Sequence, residues 1–304
     1  MSELAQRPLG RTGLSVTVLG FGAMDLGGPP AAAEIPDAEA VRVLNAVLDS
    51  GINFIDTAGC YGSSEARIGN AISSRRDEFV LATKCGCLPG QGMGAKHTYD
   101  AANIRAGIEH SLRSMQTDRI DIAQFHGSLT RPEWEVEGAL NELLKLKEEG
   151  KVRFIGISGI LPNLSEQVDS GVFDVFQIPY SALQREHEDI IAKASAAGAG
   201  IIVRGGVARG APTDWNKRYY MLTGDEMSGR WEQARLDELL DGMSRMEFML
   251  RFVIAEPALD TTIVGTKNVD HLRDNVAAAR KGPLPADVVA EAKRRLDATG
   301  SRPV

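Results

Sequence analysis

The sequence predicts an α/β fold in which eight parallel strands, each followed by a helix, close into a (β/α)8 TIM barrel. An N-terminal β-hairpin and an extra C-terminal helix flank it. Short apolar runs of strand length alternate with stretches of helical period along the chain, the pattern of repeated βα units. Eight such units follow one another from Val16 onward. No linker-like shift in composition divides the 304 residues, a length that one barrel fills, so a single domain over 1–304 is expected.

Each element has a local reason. Pro8–Val16 reads as a hairpin with Thr12-Gly13 as its turn. Val16–Met24 is a buried strand with a glycine-rich exit, whose G-x-G lacks the third glycine of a Rossmann turn. Residues 27–36 are loop, rich in Gly, Pro and Ala. Ala38–Leu48 places Val41, Leu44, Val47 and Leu48 at helical spacing and stops at Gly51. Asn53–Ile55 is a strand that breaks at Gly59 and Gly62, and a helix around Ala66–Ile72 follows. The strand Phe79–Lys84 leads into a glycine-rich loop, Cys85–His97, and then a helix faced by Ile104, Ile108, Leu112 and Met115. Further pairs are strand Ile120–His126 with helix Ala139–Glu149, strand Val152–Ser158 with helix Leu164–Val168, and strand Val172–Ile178 with helix His187–Ala196. Strand Gly200–Arg204 precedes a polar loop over 208–230 and a helix over Leu236–Ile254. Strand Thr261–Gly265 and helix Val269–Ala279 complete the repeat, and Pro285–Ala298 is the appended helix.

Composition excludes several function classes. The formal charge is −7 and the pI about 5.4, with no basic cluster, which speaks against a nucleic-acid partner. Residues 1–7 lack an apolar signal core and no stretch reaches the length of a membrane span, so a cytoplasmic protein without a membrane partner is expected. Three cysteines do not make a disulfide framework. Nothing in the sequence sets an oligomeric state.

The chemistry gathers at strand ends. Asp56 closes the second strand, Tyr61 stands on the loop after it, Lys84 ends the third and His126 the fourth. In a parallel barrel these ends are neighbours on one rim, where catalytic groups collect. A buried ammonium is costly unless paired, and Asp56 is the evident counter-ion for Lys84. A cation beside a phenol favours the phenolate, so the Tyr61 pKa is expected to fall. Singly, these residues read as an ion pair, a turn cap, a rim aromatic and a core histidine; four at consecutive strand ends ask for another explanation. Cys60 and Cys85 flank the set, yet neither lies in a redox motif. Cys85-Gly86-Cys87 lacks a second ligand pair, so no metal site is expected.

Asp56-Thr57-Ala58-x-x-Tyr61-Gly62, Lys84 after Val80–Thr83, and Ile120-Asp121 leading to His126 resemble the aldo-keto reductase family. So do Gly156-Ile157-Ser158, Gln177 within Phe176–Ser181, and Val264–Lys267 with Asn275. The resemblance runs from the hairpin almost to the C-terminus. It implies a barrel that binds NADP(H), with NAD(H) also open, and reduces aldehydes or ketones by hydride transfer. Tyr61 would be the general acid, Lys84 paired with Asp56 would tune it, and His126 would orient the carbonyl. Ser158 and Gln177 would hold the nicotinamide carboxamide. Gly22, Ala23, Met24 and Asp56, together with Arg204, Gly205, Gly206 and Val207, would line the cofactor. Gly265, Thr266 and Lys267 would approach the adenosine phosphate, with His271 and Asn275 beside the adenine end.

Two positions depart from the family pattern. Gly159 stands where Asn is frequent, and Arg204 where an aromatic often stacks on the nicotinamide, a role a planar guanidinium can take. The loops 25–37, 85–99 and 208–230, the last with Trp215, Tyr219, Tyr220 and Trp231, would choose a small carbonyl or alcohol substrate. A sugar or secondary-alcohol dehydrogenase and a cofactor-sensing regulatory subunit are the alternative readings.

Overall fold

The computed structural model describes residues 3–28, 32–87, 96–135, 138–208, 210 and 224–304. The strands are β1 (Gln6–Pro8), β2 (Ser15–Thr17), β3 (Leu19–Gly22), β4 (Phe54–Asp56) and β5 (Val80–Cys85), then β6 (Ile120–His126), β7 (Val152–Ser158), β8 (Val175–Pro179), β9 (Gly200–Arg204) and β10 (Thr261–Val264). The helices are α1 (Asp37–Asp49), α2 (Ser64–Ile72), α3 (Ala101–Ser114), α4 (Arg131–Glu135), α5 (Ala139–Glu148) and α6 (Asn163–Asp169). They continue with α7 (Glu188–Ala196), α8 (Gly224–Gln233), α9 (Arg245–Ile254), α10 (Val269–Arg280) and α11 (Ala286–Asp297). Strands β3 to β10 form a closed parallel barrel in sequence order, β10 pairing with β3, and β1 and β2 form the separate antiparallel hairpin. No helix among the described residues is long and apolar enough to cross a membrane.

Alternation along each strand sorts the side chains. On β5, Val80 and Ala82 belong to the apolar plug inside the barrel, while Leu81 and Cys85 belong to the layer between barrel and helices. The plug joins Phe54, Ile122, Val175 and Ile202 to Leu9 and Val16 of the hairpin, which therefore stops the amino-end mouth. Burying it removes apolar surface from water at roughly 25 cal/mol per Å2 and leaves the opposite mouth as the one open to chemistry. Leu9 fits because residue 200 is glycine: a Cβ there would lie 2.8 Å from the Leu9 Cγ.

Several boundaries differ from the sequence expectation; the strand expected over Val172–Ile178, for one, spans Val175–Pro179. Val16 and Thr17 pair with Arg7 and Gln6 rather than with the barrel, and β3 starts only at Leu19. The Thr17 amide is taken by the Asn53 side chain at 2.7 Å, and the Val18 amide by the Ala5 carbonyl, so the chain turns between hairpin and barrel. The expected helix over Leu236–Ile254 is broken into a 3-10 turn (Leu236–Leu239) and α9. Gly242 at φ 80° stops the first piece, and the Ser244 hydroxyl caps the second by accepting from the Glu247 amide. Part of the loop over 208–230 is helical, α8 beginning at Gly224, because Met227 and Trp231 are buried in the core. Helix α4 was not expected; its Trp134 is fully buried against Phe173, ring centroids 5.8 Å apart.

The plugged mouth carries a pH-sensitive acid. Asp260 Oδ2 accepts from the Gly10 amide at 3.1 Å and the Ile201 amide at 2.8 Å. Burial, opposed by these two bonds and by Arg7, pushes its pKa from 3.8 to about 6. The folded state therefore holds a proton that the unfolded chain has released, so stability falls as pH rises from 3.8 through about 6. Asp260 is only half-buried, so solvent screening reduces the loss to the order of 2 kcal/mol. Urea unfolding at several pH values should show it, and Asp260→Asn should flatten this part of the profile; an unchanged slope in the variant would refute the assignment.

Candidate active site at the open rim

The polar groups continue the inward faces of the apolar strands. Asp56 follows Phe54 by two residues on β4, Lys84 follows Ala82 on β5, Gln124 follows Ile122 on β6, and Gln177 follows Val175 on β8. The step of two that fills the plug with hydrocarbon thus places charge and amide one layer higher. The register sets Asp56 beside Ala82, Lys84 beside Gln124, and Ser158 beside both His126 and Gln177.

Lys84 Nζ donates to Asp56 Oδ2 at 2.6 Å and to the Thr57 carbonyl at 2.8 Å. The other carboxylate oxygen accepts from Gln124 Nε2 at 3.1 Å and Gln177 Nε2 at 2.8 Å, and Ser158 Oγ donates to Gln177 Oε1 at 3.0 Å. The side chains of Lys84 and Asp56 are 1% and 3% exposed, so the pair survives burial only because the carboxylate is bonded on both oxygens. Burial alone would lower the Lys84 pKa, but Asp56 and Tyr61 outweigh it and raise it above the ordinary value.

The Lys84 ammonium lies 4.9 Å from the Tyr61 ring centroid, and the His126 ring meets Tyr61 edge-on at 5.7 Å. The expected fall in the Tyr61 pKa is not found. Burial raises it, and Lys84 opposes that rise without cancelling it, so the phenol keeps its proton firmly. His126 is lowered, chiefly by burial, so its imidazole is neutral near pH 7. The Tyr61 loop is held from below: Ser64 Oγ donates to the Ala23 carbonyl, and its oxygen lies 2.9 Å from Thr57 Oγ1. Residue 27 must be glycine, since a Cβ there would fall 2.1 Å from the Tyr61 carbonyl oxygen.

A second set of expected residues surrounds this cluster. Gly22 ends β3, and Ala23 and Met24 start a 3-10 turn. A Cβ on Gly265 would come within 2.7 Å of the Gly22 carbonyl oxygen, so the exits of β3 and β10 touch. Arg204 ends β9, and Gly205 at φ 73° turns the chain toward Gly206 and Val207. Thr266 is buried, its hydroxyl accepting from the Asn268 amide at 3.1 Å, and Asn268 caps α10. Lys267 is exposed just before that cap, with His271 and Asn275 one turn apart on α10. Ser158 bonds to Gln177, and Gln177 in turn to Asp56, so the pair serves the charged cluster as well as the rim.

At Gly159 the departure has a physical reason: a Cβ would lie 2.8 Å from Gln167 Oε1, whose amide nitrogen is tied to the Leu129 carbonyl. Trp231 is not a substrate-loop residue. It is buried in α8 with its indole nitrogen donating to Asp237 Oδ1 at 3.0 Å. Trp215, Tyr219 and Tyr220, much of the loop over 85–99, and Arg209 lie outside the described residues.

Sequence reasoning missed Gln124, whose inward parity two residues after Ile122 was the available signal. It also missed a group beside His126. Cys60 Sγ and Cys87 Sγ lie 3.4 and 3.2 Å from His126 Nδ1, and His97 stacks on the His126 ring at 4.7 Å. Cys87 therefore does have ligand-type neighbours, contrary to expectation. Hydrogen bonding with Cys87 and with the two imidazoles draws the Cys60 thiol well below its ordinary pKa, against the opposing effect of burial.

An eight-stranded parallel barrel with a buried acid–lysine pair, a phenol and an imidazole on its carboxyl rim is of the barrel-enzyme class. The chain matches the aldo/keto reductase family over residues 18–296 and belongs to it. It is 28% identical over 300 residues to the uncharacterized oxidoreductase YqkF of Bacillus subtilis, covering 94% of each chain. It is 30% identical to L-galactose dehydrogenase of Arabidopsis thaliana, covering 91% of this chain and 89% of that one. Among solved structures it resembles the holo form of aldo-keto reductase AKR11C1 from Bacillus halodurans, with TM-score 0.84, 30% identity and 96% of both chains covered. Family membership makes the protein an oxidoreductase.

Proposed function

We propose that the protein is an NADPH-dependent reductase of aldehydes or ketones, with Tyr61 as proton donor. The observation that carries this reading is the convergence of Asp56, Lys84, Tyr61 and His126 on one rim, with Lys84 bonded to Asp56 at 2.6 Å. The residues fit a dinucleotide: exposed Lys267 precedes the start of α10 on the same rim, and a helix start favours anions. When bound, the nicotinamide would supply the hydride to the carbonyl carbon.

The chain's own groups manage the proton. Tyr61 stays protonated until negative charge grows on the substrate oxygen, then gives up its hydroxyl proton. The Lys84 cation, held by Asp56, stabilises the phenolate left behind. The Cys87 thiol, 3.2 Å away and donating to His126 Nδ1, would leave the imidazole proton on Nε2, free to donate to the carbonyl oxygen.

Fluorescence titration with NADPH and NADH, followed by carbonyl-dependent oxidation of NADPH, tests the reading. Lys267→Ala should weaken NADPH about tenfold and leave NADH unchanged, as expected for loss of one charge-assisted contact to the 2′-phosphate. Equal weakening of both cofactors would remove the phosphate role. The similarity to L-galactose dehydrogenase favours a second reading, oxidation of a sugar. Faster turnover of oxidised cofactor with aldoses than of NADPH with carbonyls would select it.

A further inference from the structure

We propose that Cys60, Cys87, His97 and His126 form a tetrahedral zinc site behind the proposed catalytic histidine. One ligand atom from each residue can be chosen so that all lie within 4.8 Å of one another. The chain supplies them from four places: the turn after β4, the exit of β5, the segment before α3, and the end of β6. The His126 Nδ1 distances of 3.4 and 3.2 Å to the two sulfurs are close to the ligand–ligand edges of a zinc tetrahedron. Those edges are roughly 3.3–3.8 Å for metal–sulfur and metal–nitrogen bonds of ordinary length. Two thiols and two imidazoles are the donor set that selects zinc over the oxygen-seeking cations.

The surroundings orient the ligands. Tyr99 OH donates to the His126 carbonyl at 2.8 Å, so toward His97 Nδ1, 3.2 Å away, its oxygen can only accept. That places the His97 proton on Nδ1 and leaves the Nε2 lone pair for a metal. An acceptor that fixes the tautomer of a ligand histidine is the usual outer support of such a site, and here the Tyr99 oxygen takes that place. Both sulfurs are buried and both rings half-buried, so two thiolates would meet the dication in a shielded and electrically balanced place. With four protein ligands the site is closed, which makes it structural rather than a Lewis acid for substrate. It would tie His97 to the rim. If the reductase reading holds, it would also fix His126 with its proton on Nε2, the donor tautomer.

The test uses the full chain, reduced, stripped with chelator and titrated anaerobically with Co2+. One equivalent should bind, giving the thiolate-to-cobalt charge-transfer band and the intense visible bands of a tetrahedral ion, and Zn2+ should displace it. Cys87→Ser and His97→Gln should each weaken binding at least tenfold, with Cys87→Ser also losing charge-transfer intensity. Tyr99→Phe should weaken it less while keeping the spectrum. Circular dichroism and urea midpoints confirm that each variant is folded. Failure of the reduced chain to bind, an octahedral spectrum, or equal binding by the Cys87→Ser and His97→Gln variants would overturn the proposal. So would a Cys60–Cys87 disulfide in the purified protein that, once reduced, takes up no metal. Because the readout is the metal and not turnover, it stands or falls separately from the reductase reading.

Discussion

Replacing Tyr61 with phenylalanine is expected to lower kcat for carbonyl reduction by about 10²- to 10⁴-fold, while the NADPH titration stays within about twofold of the parent. The ring, its face toward Lys84 and its edge against His126 survive this change, and only the hydroxyl group is lost. Because burial raises the Tyr61 pKa, the wild-type phenol remains protonated through neutral pH. Reduction should therefore not show a loss of the acid form below about pH 9, given an ordinary phenol pKa near 10. Steady-state rates across pH for parent and variant check both statements. A Tyr61→Phe enzyme retaining more than about a tenth of the parent kcat would assign the proton to another donor, with His126 the next candidate.

Lys84→Met should cost both stability and turnover. It removes the cation from a buried pair and leaves the Asp56 carboxylate facing only Gln124 and Gln177. Breaking such a pair from one side costs about 3–5 kcal/mol, measurable as a lowered urea midpoint. The double variant Lys84→Met, Asp56→Asn should recover part of that loss, because no buried charge is then stranded. Sign and pH window follow from the raised Lys84 pKa. Its stabilisation is fully present below the ordinary value of 10.5 and is lost as pH climbs through the raised folded value, a loss the variant should not show. A single variant as stable as the parent would mean that water enters the cluster and solvates Asp56.

Much of this molecule is legible in its sequence. The strands carrying Asp56, Lys84, His126, Ser158 and Arg204 could be placed within a residue or two, because apolar runs bounded by glycine are a local signal. Their shared rim followed from topology, since parallel strands in sequence order bring successive carboxyl ends together. The break at Gly242 and the cap at Ser244 were also local signals, but the apolar spacing over 236–254 masked them.

Other features depend on distance through space. The sequence shows that Tyr61 and Lys84 are near neighbours, and from that alone the phenol pKa should fall. Only the packed rim shows that burial outweighs the cation. Gln124 matters only because the buried Asp56 carboxylate, on another strand, takes a hydrogen bond from it. Cys87, just past the end of β5, meets Cys60 after β4, His126 at the end of β6 and His97 ahead of α3. Periodicity and turn chemistry act over a few residues, so the chain by itself determined the barrel, its strand ends and the four groups on its rim. Desolvation and ligand geometry arise where segments meet, so only the tertiary structure decided how tightly Tyr61 holds its proton and which side chains surround His126.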